Sequence, residues 1–199
     1  MNWFLIDKHS AKQPAGKYSE WKSLLREEGR EQCVYCAIKE SSYGGFRNFH
    51  VEHFRPKRHF PDKEDDYFNL FYACAVCNSF KGCDWPADPV DDYSEAAYID
   101  PSSTDLAQVI DIDERLVARP KNPAAAYMIE RLYLNRPQLL LLREMVRVRA
   151  ELHALREAMR PLVAGGVSGD VAGLLLDVGD LLDKLHEVSP YEPSDVRRN

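Results

Sequence analysis

The sequence predicts an α+β protein, with short strands and a short helix in its N-terminal half and a mainly helical C-terminal half. Three observations predict this. Cysteines recur as two Cys-x-x-Cys pairs, Cys33/Cys36 and Cys74/Cys77. Between the pairs lie two short strand-like segments, "HVEHF" and "LFYAC", separated by a polar, Pro-containing loop. Beyond Asn122, leucines, valines and methionines recur in alternating four- and three-residue steps, the seam of packed helices. The predicted division is residues 1–95 as the core that carries the cysteines and 96–199 as a β-hairpin and helical region.

Taken in order, "SEWKSLLREEG" (Ser19 to Gly29) reads as a helix with Trp21, Leu24 and Leu25 on one face and Gly29 at its end. "CVYC" is a knuckle. Ile38 to Phe49 places Gly44-Gly45 between aromatic-rich flanks, which predicts a hairpin. The "HVEHF" strand, the loop "RPKRHFPDKEDDYFN" and the "LFYAC" strand follow, then "VCNSFKG" as one or two helical turns ended by Gly82. Pro86 to Pro101 is acidic and irregular. Val109–Ile112 and Arg115–Val117 are predicted to pair around Asp113-Glu114. Asn122-Pro123 starts a helix, with Asn as cap and Pro in the first turn.

Asn135-Arg136-Pro137 repeats that logic and opens a long helix to about Arg160. Its apolar stripe is Leu141, Met145, Val148, Leu152, Leu155 and Met159. "PLVAGGVSGD" breaks it. A second stripe, Leu174, Val178, Leu181, Leu185 and Val188, predicts an antiparallel helical hairpin. The tail "SPYEPSDVRRN" is expected to be mobile.

A chain of 199 residues can bury a core without disulfides, so its five cysteines are not needed as staples. "MNWFLIDKHSAKQ" lacks a basic start followed by an apolar run, and Leu139–Leu142 is too short to span a bilayer. The reading is a soluble, cytoplasmic chain with reduced thiols and no membrane partner. A net charge of −6 argues against a generally basic nucleic-acid binder. The charge is segregated. Between Lys81 and Arg115 there are ten Asp or Glu and no Lys or Arg, whereas Arg115 to Arg160 holds ten Lys or Arg against four Glu.

Four thiolates in two such pairs fit a closed, structural tetrahedral zinc site. The competing readings are a buried inert set or a redox dithiol. Cys83 is left over as a bystander. The polar residues between and beside the pairs carry chemistry. Glu52 can bind a hard cation, His53 can take a proton from water, and Asn69 can pin a loop through its amide. Asn78 offers a neutral oxygen to a metal. Lys81, Arg55, Lys57 and Arg58 can meet phosphate oxygens. Together these are the parts of metal-assisted phosphodiester hydrolysis. Because Glu52 and His53 are adjacent, a regular strand points them to opposite faces, so the strand is expected to end or bulge there.

The ordered set of Cys-x-x-Cys, "EH" with Pro three residues on, "NL" and "CxxCNxxKG" resembles the HNH endonuclease superfamily over residues 33–82. The resemblance implies a zinc-bound ββα-metal (treble-clef-like) core. It implies His53 as general base, Asn69 as the residue that orients the loop carrying His53, and Glu52 with Asn78 as holders of a catalytic Mg²⁺ or Mn²⁺. It implies cysteines 33, 36, 74 and 77 as structural zinc ligands and nucleic acid as substrate, with DNA favoured and RNA or tRNA as the alternative. The usual Asp is here Glu52, and the frequent third His is Asn78, which favours an oxygen-liking ion. "VEHFRPK", "YIDPSS" and "MIERLYLNRPQLLLLR" are further similar to the PtuB-type HNH nucleases of Septu and retron anti-phage systems, which work with an ABC-type ATPase.

Blander readings compete. His50 is a metal or phosphate contact or, more often for such a residue, a partly buried, satisfied histidine. His59 sits in a basic loop. Arg136, Arg143 and Arg147 form one row of the long helix and Arg149, Arg156 and Arg160 another, as solvated faces or as a docking surface. The alternative to catalysis is a zinc-clip module that only binds nucleic acid or protein.

Overall fold

The computed structural model describes residues 3–8, 16–164, 173 and 176–180. Its chain divides into two compact units, one up to Leu140 and one from Leu141. In the first unit, a 3-10 turn (Tyr18–Trp21) leads into α1 (Lys22–Glu28), which buries Trp21 and Leu25. The knuckle 33–36 then turns back on itself. Ala37 takes a left-handed φ of 52° so that its N–H reaches the Cys33 carbonyl at 2.8 Å.

Strand β1 (Phe49–His53) pairs antiparallel with β2 (Leu70–Cys74), from Phe49 opposite Cys74 to His53 opposite Leu70. All five β2 residues are buried, and the Phe49 and Tyr72 rings stack 4.8 Å apart on one face. Val34 N–H bonds the Tyr72 carbonyl at 2.9 Å, so the knuckle docks on β2. β2 runs directly into α2 (Ala75–Lys81), which Gly82 ends with a φ of 55°. This βloopβα unit follows the sequence reading closely, with β1 beginning one residue early.

The hairpin expected over 38–49 is absent. Two 3-10 turns, Glu40–Ser42 and Phe46–Asn48, stand there, joined by Gly44 and Gly45, both at positive φ. The reason is Glu40. Its carboxylate accepts from Arg26 on α1 and from the Tyr72 hydroxyl on β2, which pulls the chain inward where a strand would have run on. Burial alone would raise the Glu40 carboxyl, but these donors outweigh it and hold it below its ordinary range.

After α2 the acidic segment is irregular, as expected, yet it plants Tyr98 and Ile99 in the core, where Trp85 stacks on Tyr98 at 6.0 Å. A short helix α3 (Leu106–Val109), capped by Asp105, precedes β3 (Ile110–Ile112). β3 pairs with β4 (Ala118–Pro120), not with 115–117. Asp113 Oδ1 accepts from the N–H groups of Arg115 and Val117, and that Asx turn uses up the residues expected to be strand. Asn122 caps α4 (Pro123–Arg131) by accepting from Ala125 N–H at 2.8 Å. Asn135 does not repeat this cap. Its amide clamps both backbone groups of Ala118 in β4.

α5 (Pro137–Ala164) is a 28-residue helix that includes Pro161, the first residue of the expected break; residues 165–170 of that segment lie outside the described residues. At its start the apolar stripe is not buried. Leu141 is 63 % exposed and Met145 41 %, whereas Arg143, expected on a solvated row, is 3 % exposed. Periodicity identifies the residues that share a face, not what covers them. In the second unit Arg156 pairs with Asp180. Apart from Val178, the second stripe of the expected helical hairpin lies outside the described residues, as does the tail. Among the described residues, no helix is long and apolar enough to cross a membrane.

Candidate active site and metal cluster

The end of β2, the start of α2 and the knuckle converge on four cysteines. Cys33, Cys36, Cys74 and Cys77 are fully buried, and their sulfurs all lie within 4.8 Å of one another. Cys36 Sγ and Cys74 Sγ are 3.8 Å apart. A tetrahedron with Zn–S bonds of about 2.3 Å has edges of about 3.8 Å, so the donor set fits zinc in kind, number and spacing. Cys74 is also the N-cap of α2 and accepts from Cys77 N–H at 3.4 Å. Hydrogen bonds from Cys33, Cys36 and Cys77 hold the Cys74 thiol far below its ordinary range. Cys83 is exposed and outside the cluster.

Next to the cluster, α2 lies over the β1 face that carries His50 and Glu52. Asn78 Nδ2 approaches His50 Nδ1 at 3.3 Å, and Lys81 Nζ approaches Glu52 Oε1 at 2.7 Å. The i,i+3 spacing on the helix thus matches the i,i+2 spacing on the strand. Lys81 has no exposed surface. Its ammonium also donates to the His53 carbonyl at 2.8 Å and sits 5.2 Å from the Tyr98 ring centre. The phosphate contact expected of Lys81 is therefore out of its reach, because its charge is spent on Glu52. Tyr35 donates to the same Glu52 Oε1 at 3.1 Å, and Oε2 has no hydrogen-bond partner among the described residues. Burial pushes the Glu52 carboxyl up, while Lys81 and Tyr35 act against it.

β1 neither bulges nor breaks before His53. It ends there. Glu52 and His53 nevertheless border one cavity of about 620 Å³, along with His50, Asn78, Lys57 and Arg58. β1 belongs to a two-stranded sheet, so one of its edges is unpaired and side chains from both faces can reach the same space. His53 Nε2 lies 2.9 Å from the Glu64 carbonyl. A carbonyl only accepts, so the proton sits on Nε2 and the lone pair is on Nδ1. Burial lowers the His53 pKa and favours this neutral form.

The turn that follows is held by Asn69, which is 4 % exposed. Its Oδ1 accepts from Arg55 N–H at 2.7 Å, and its Nδ2 donates to the carbonyls of Arg55 and Lys63, both at 3.0 Å. Of the loop cations, Arg55 turns away, pairing with Asp88 at 2.6 Å beside Phe60 and Trp85. Lys57 borders the cavity but pairs with Glu64 at 2.7 Å. Arg58 borders it beside Cys83, and His59 bonds the Cys83 carbonyl instead.

Two cavity residues escaped the sequence reading. Tyr18 sets its ring edge-on to His53 at 4.8 Å and accepts from Lys57, and Lys22 lies close by on α1. Neither belongs to a spaced motif. Only their separation of some 30 residues being closed by folding brings them in.

Residues 33–84 match the model of the family described as HNH endonuclease, a span that holds the knuckle, β1, the Asn69 loop, β2 and α2. No curated protein and no solved structure matches the chain. The match thus places an HNH endonuclease family domain at residues 33–84, about a quarter of the chain.

Proposed function

We propose that the chain is a divalent-ion-dependent endonuclease, with DNA as its favoured substrate, whose reaction centre is the cavity along the free edge of β1. The observation that carries this reading is the convergence of His53, Glu52 and Asn78 on that one cavity. His53 Nδ1, neutral and facing away from the Glu64 carbonyl, takes a proton from water, and the resulting hydroxide attacks phosphorus. Glu52 Oε2 and the Asn78 amide oxygen, with His50 beside them, are suited to hold Mg²⁺ or Mn²⁺. When bound, such an ion supplies charge neutralisation at the scissile phosphate and the leaving oxygen. Lys81 keeps Glu52 ionised and fixed in direction, Asn69 fixes the loop behind His53, and Lys57 and Arg58 meet flanking phosphates.

The test is cleavage of plasmid, single-stranded DNA and tRNA with added Mg²⁺ or Mn²⁺, and with EDTA as control. His53→Ala is expected to lower the rate by about 10²–10⁴-fold with zinc content unchanged. Retained cleavage in that variant sinks the mechanism and leaves the zinc-clip binding module.

The finer assignment, a cytoplasmic anti-phage effector that works with an ABC-type ATPase, rests on the sequence resemblance. It is supported by the net charge of −6, which leaves the nuclease needing help to reach DNA. It assigns catalysis to residues 1–95 and docking to 96–199. Cleavage that appears only after the ATPase is added is the expected result.

A further inference from the structure

The spacing of the long helix placed Arg136 in a row with Arg143 and Arg147. In the fold it precedes the helix and turns toward the cysteine cluster. Its Nη2 lies 3.6 Å from Cys36 Sγ and 3.6 Å from Cys77 Sγ, one sulfur from each pair. Its Nη1 donates to the carbonyls of Leu132 and Tyr133 at 3.2 and 3.3 Å, where α4 ends. The guanidinium carbon lies 5.9 Å from the centre of the Phe80 ring of α2. One planar fork therefore serves both the last turn of α4 and the buried sulfurs.

We infer that Arg136 is a positioning residue of the metal cluster, a charged hydrogen-bond donor to two of its thiolates that fastens α4 to the clip. Four thiolates around one Zn²⁺ leave about two units of negative charge in a buried site. An Arg that donates to two sulfurs offsets part of that charge and lowers their basicity. It slows proton-assisted loss of the metal, as outer-sphere donors and acceptors generally do. The inference rests on zinc in the cluster and goes beyond the nuclease reading.

The test uses the full chain and Arg136→Met, which keeps an unbranched apolar side chain and removes every side-chain donor. Lys121→Ala, a surface ion-pair residue, is the control. Zinc stoichiometry of the unaltered chain is measured first. The rate of zinc transfer to a colorimetric chelator and the sulfur-to-metal charge-transfer band of the Co²⁺-substituted protein are then compared. Arg136→Met is expected to release zinc about 10-fold faster or more. Its band is expected at lower energy, because a thiolate that loses a hydrogen bond gives up electrons more easily. A purely packing role would leave the band in place. Zinc present with band and rate unchanged overturns the inference alone. A chain that holds no zinc overturns the zinc reading and the inference with it.

Discussion

Behind the cavity, a lysine with no exposed surface meets a glutamate of which 2 % is exposed. Removing one partner of such a pair leaves a buried charge without compensation, at a cost of about 3–5 kcal/mol. Lys81→Met is therefore expected to lower stability to urea by about that amount. Glu52→Gln combined with Lys81→Met is expected to recover most of it, since both charges are then gone. A single substitution that leaves the urea midpoint unmoved would show that the pair is not held. The residue types of this site were legible in the sequence because the motif is local: Cys33 to Lys81 in order. Directions were less so. Lys81 reads as a phosphate contact until the α2 register sets it over Glu52. Arg136 meets Cys36 from 100 residues away, a separation with no spacing signal.

The elements divide along the same line. β1, β2, α2 and α4 were legible because alternation, a Cys-x-x-Cys turn and an Asn-Pro start are local instructions. The 38–49 segment was misread because its shape is set by Glu40 reaching Arg26 and Tyr72 on two other elements. That junction gives a pH prediction. The folded Glu40 carboxyl titrates below its ordinary value, so its contribution is complete above the unfolded carboxylate range and is lost as pH falls through the folded value. Glu40→Gln is expected to melt at a lower temperature than the unaltered chain at pH 7, with the gap closing toward pH 3. A gap that stays constant with pH would place the effect in packing. The 55–66 loop makes a second element-scale case. Asn69→Ala removes three hydrogen bonds to its backbone. A loss of about 1–3 kcal/mol is expected, with faster amide exchange at 55–64 and a fall in kcat larger than any change in KM. An unchanged exchange pattern would mean that the loop is held elsewhere.

At the scale of the whole molecule, a net charge of −6 and ten acidic residues between Lys81 and Arg115 leave Lys22, Lys57 and Arg58 as the cations bordering the cavity. Each phosphate contact contributes a slope of about −0.9 to the log–log dependence of DNA affinity on salt, so a slope near −3 at most is expected of the lone chain. A much steeper slope would locate the main DNA contacts elsewhere, the exposed Arg147, Arg149 and Arg160 of α5 being the first place to look.

The cysteine cluster ties together separate segments of the first unit. It joins a knuckle held to β2 by one backbone bond to the turn where β2 becomes α2. In a core of five-residue strands and a seven-residue helix, a metal clip adds to what packing and the Lys81–Glu52 pair supply. Stripping zinc with a strong chelator, confirmed by elemental analysis, is expected to lower the melting temperature of the chain. It should also abolish amide protection across β1, β2 and α2 together, because one ion serves both pairs. Re-added Zn²⁺ is expected to restore both, and Mg²⁺ neither, since a hard cation does not take four thiolates. A metal-free chain with unchanged protection over 49–81 would mean that the four sulfurs pack as a plain buried core and that the clip bears no load.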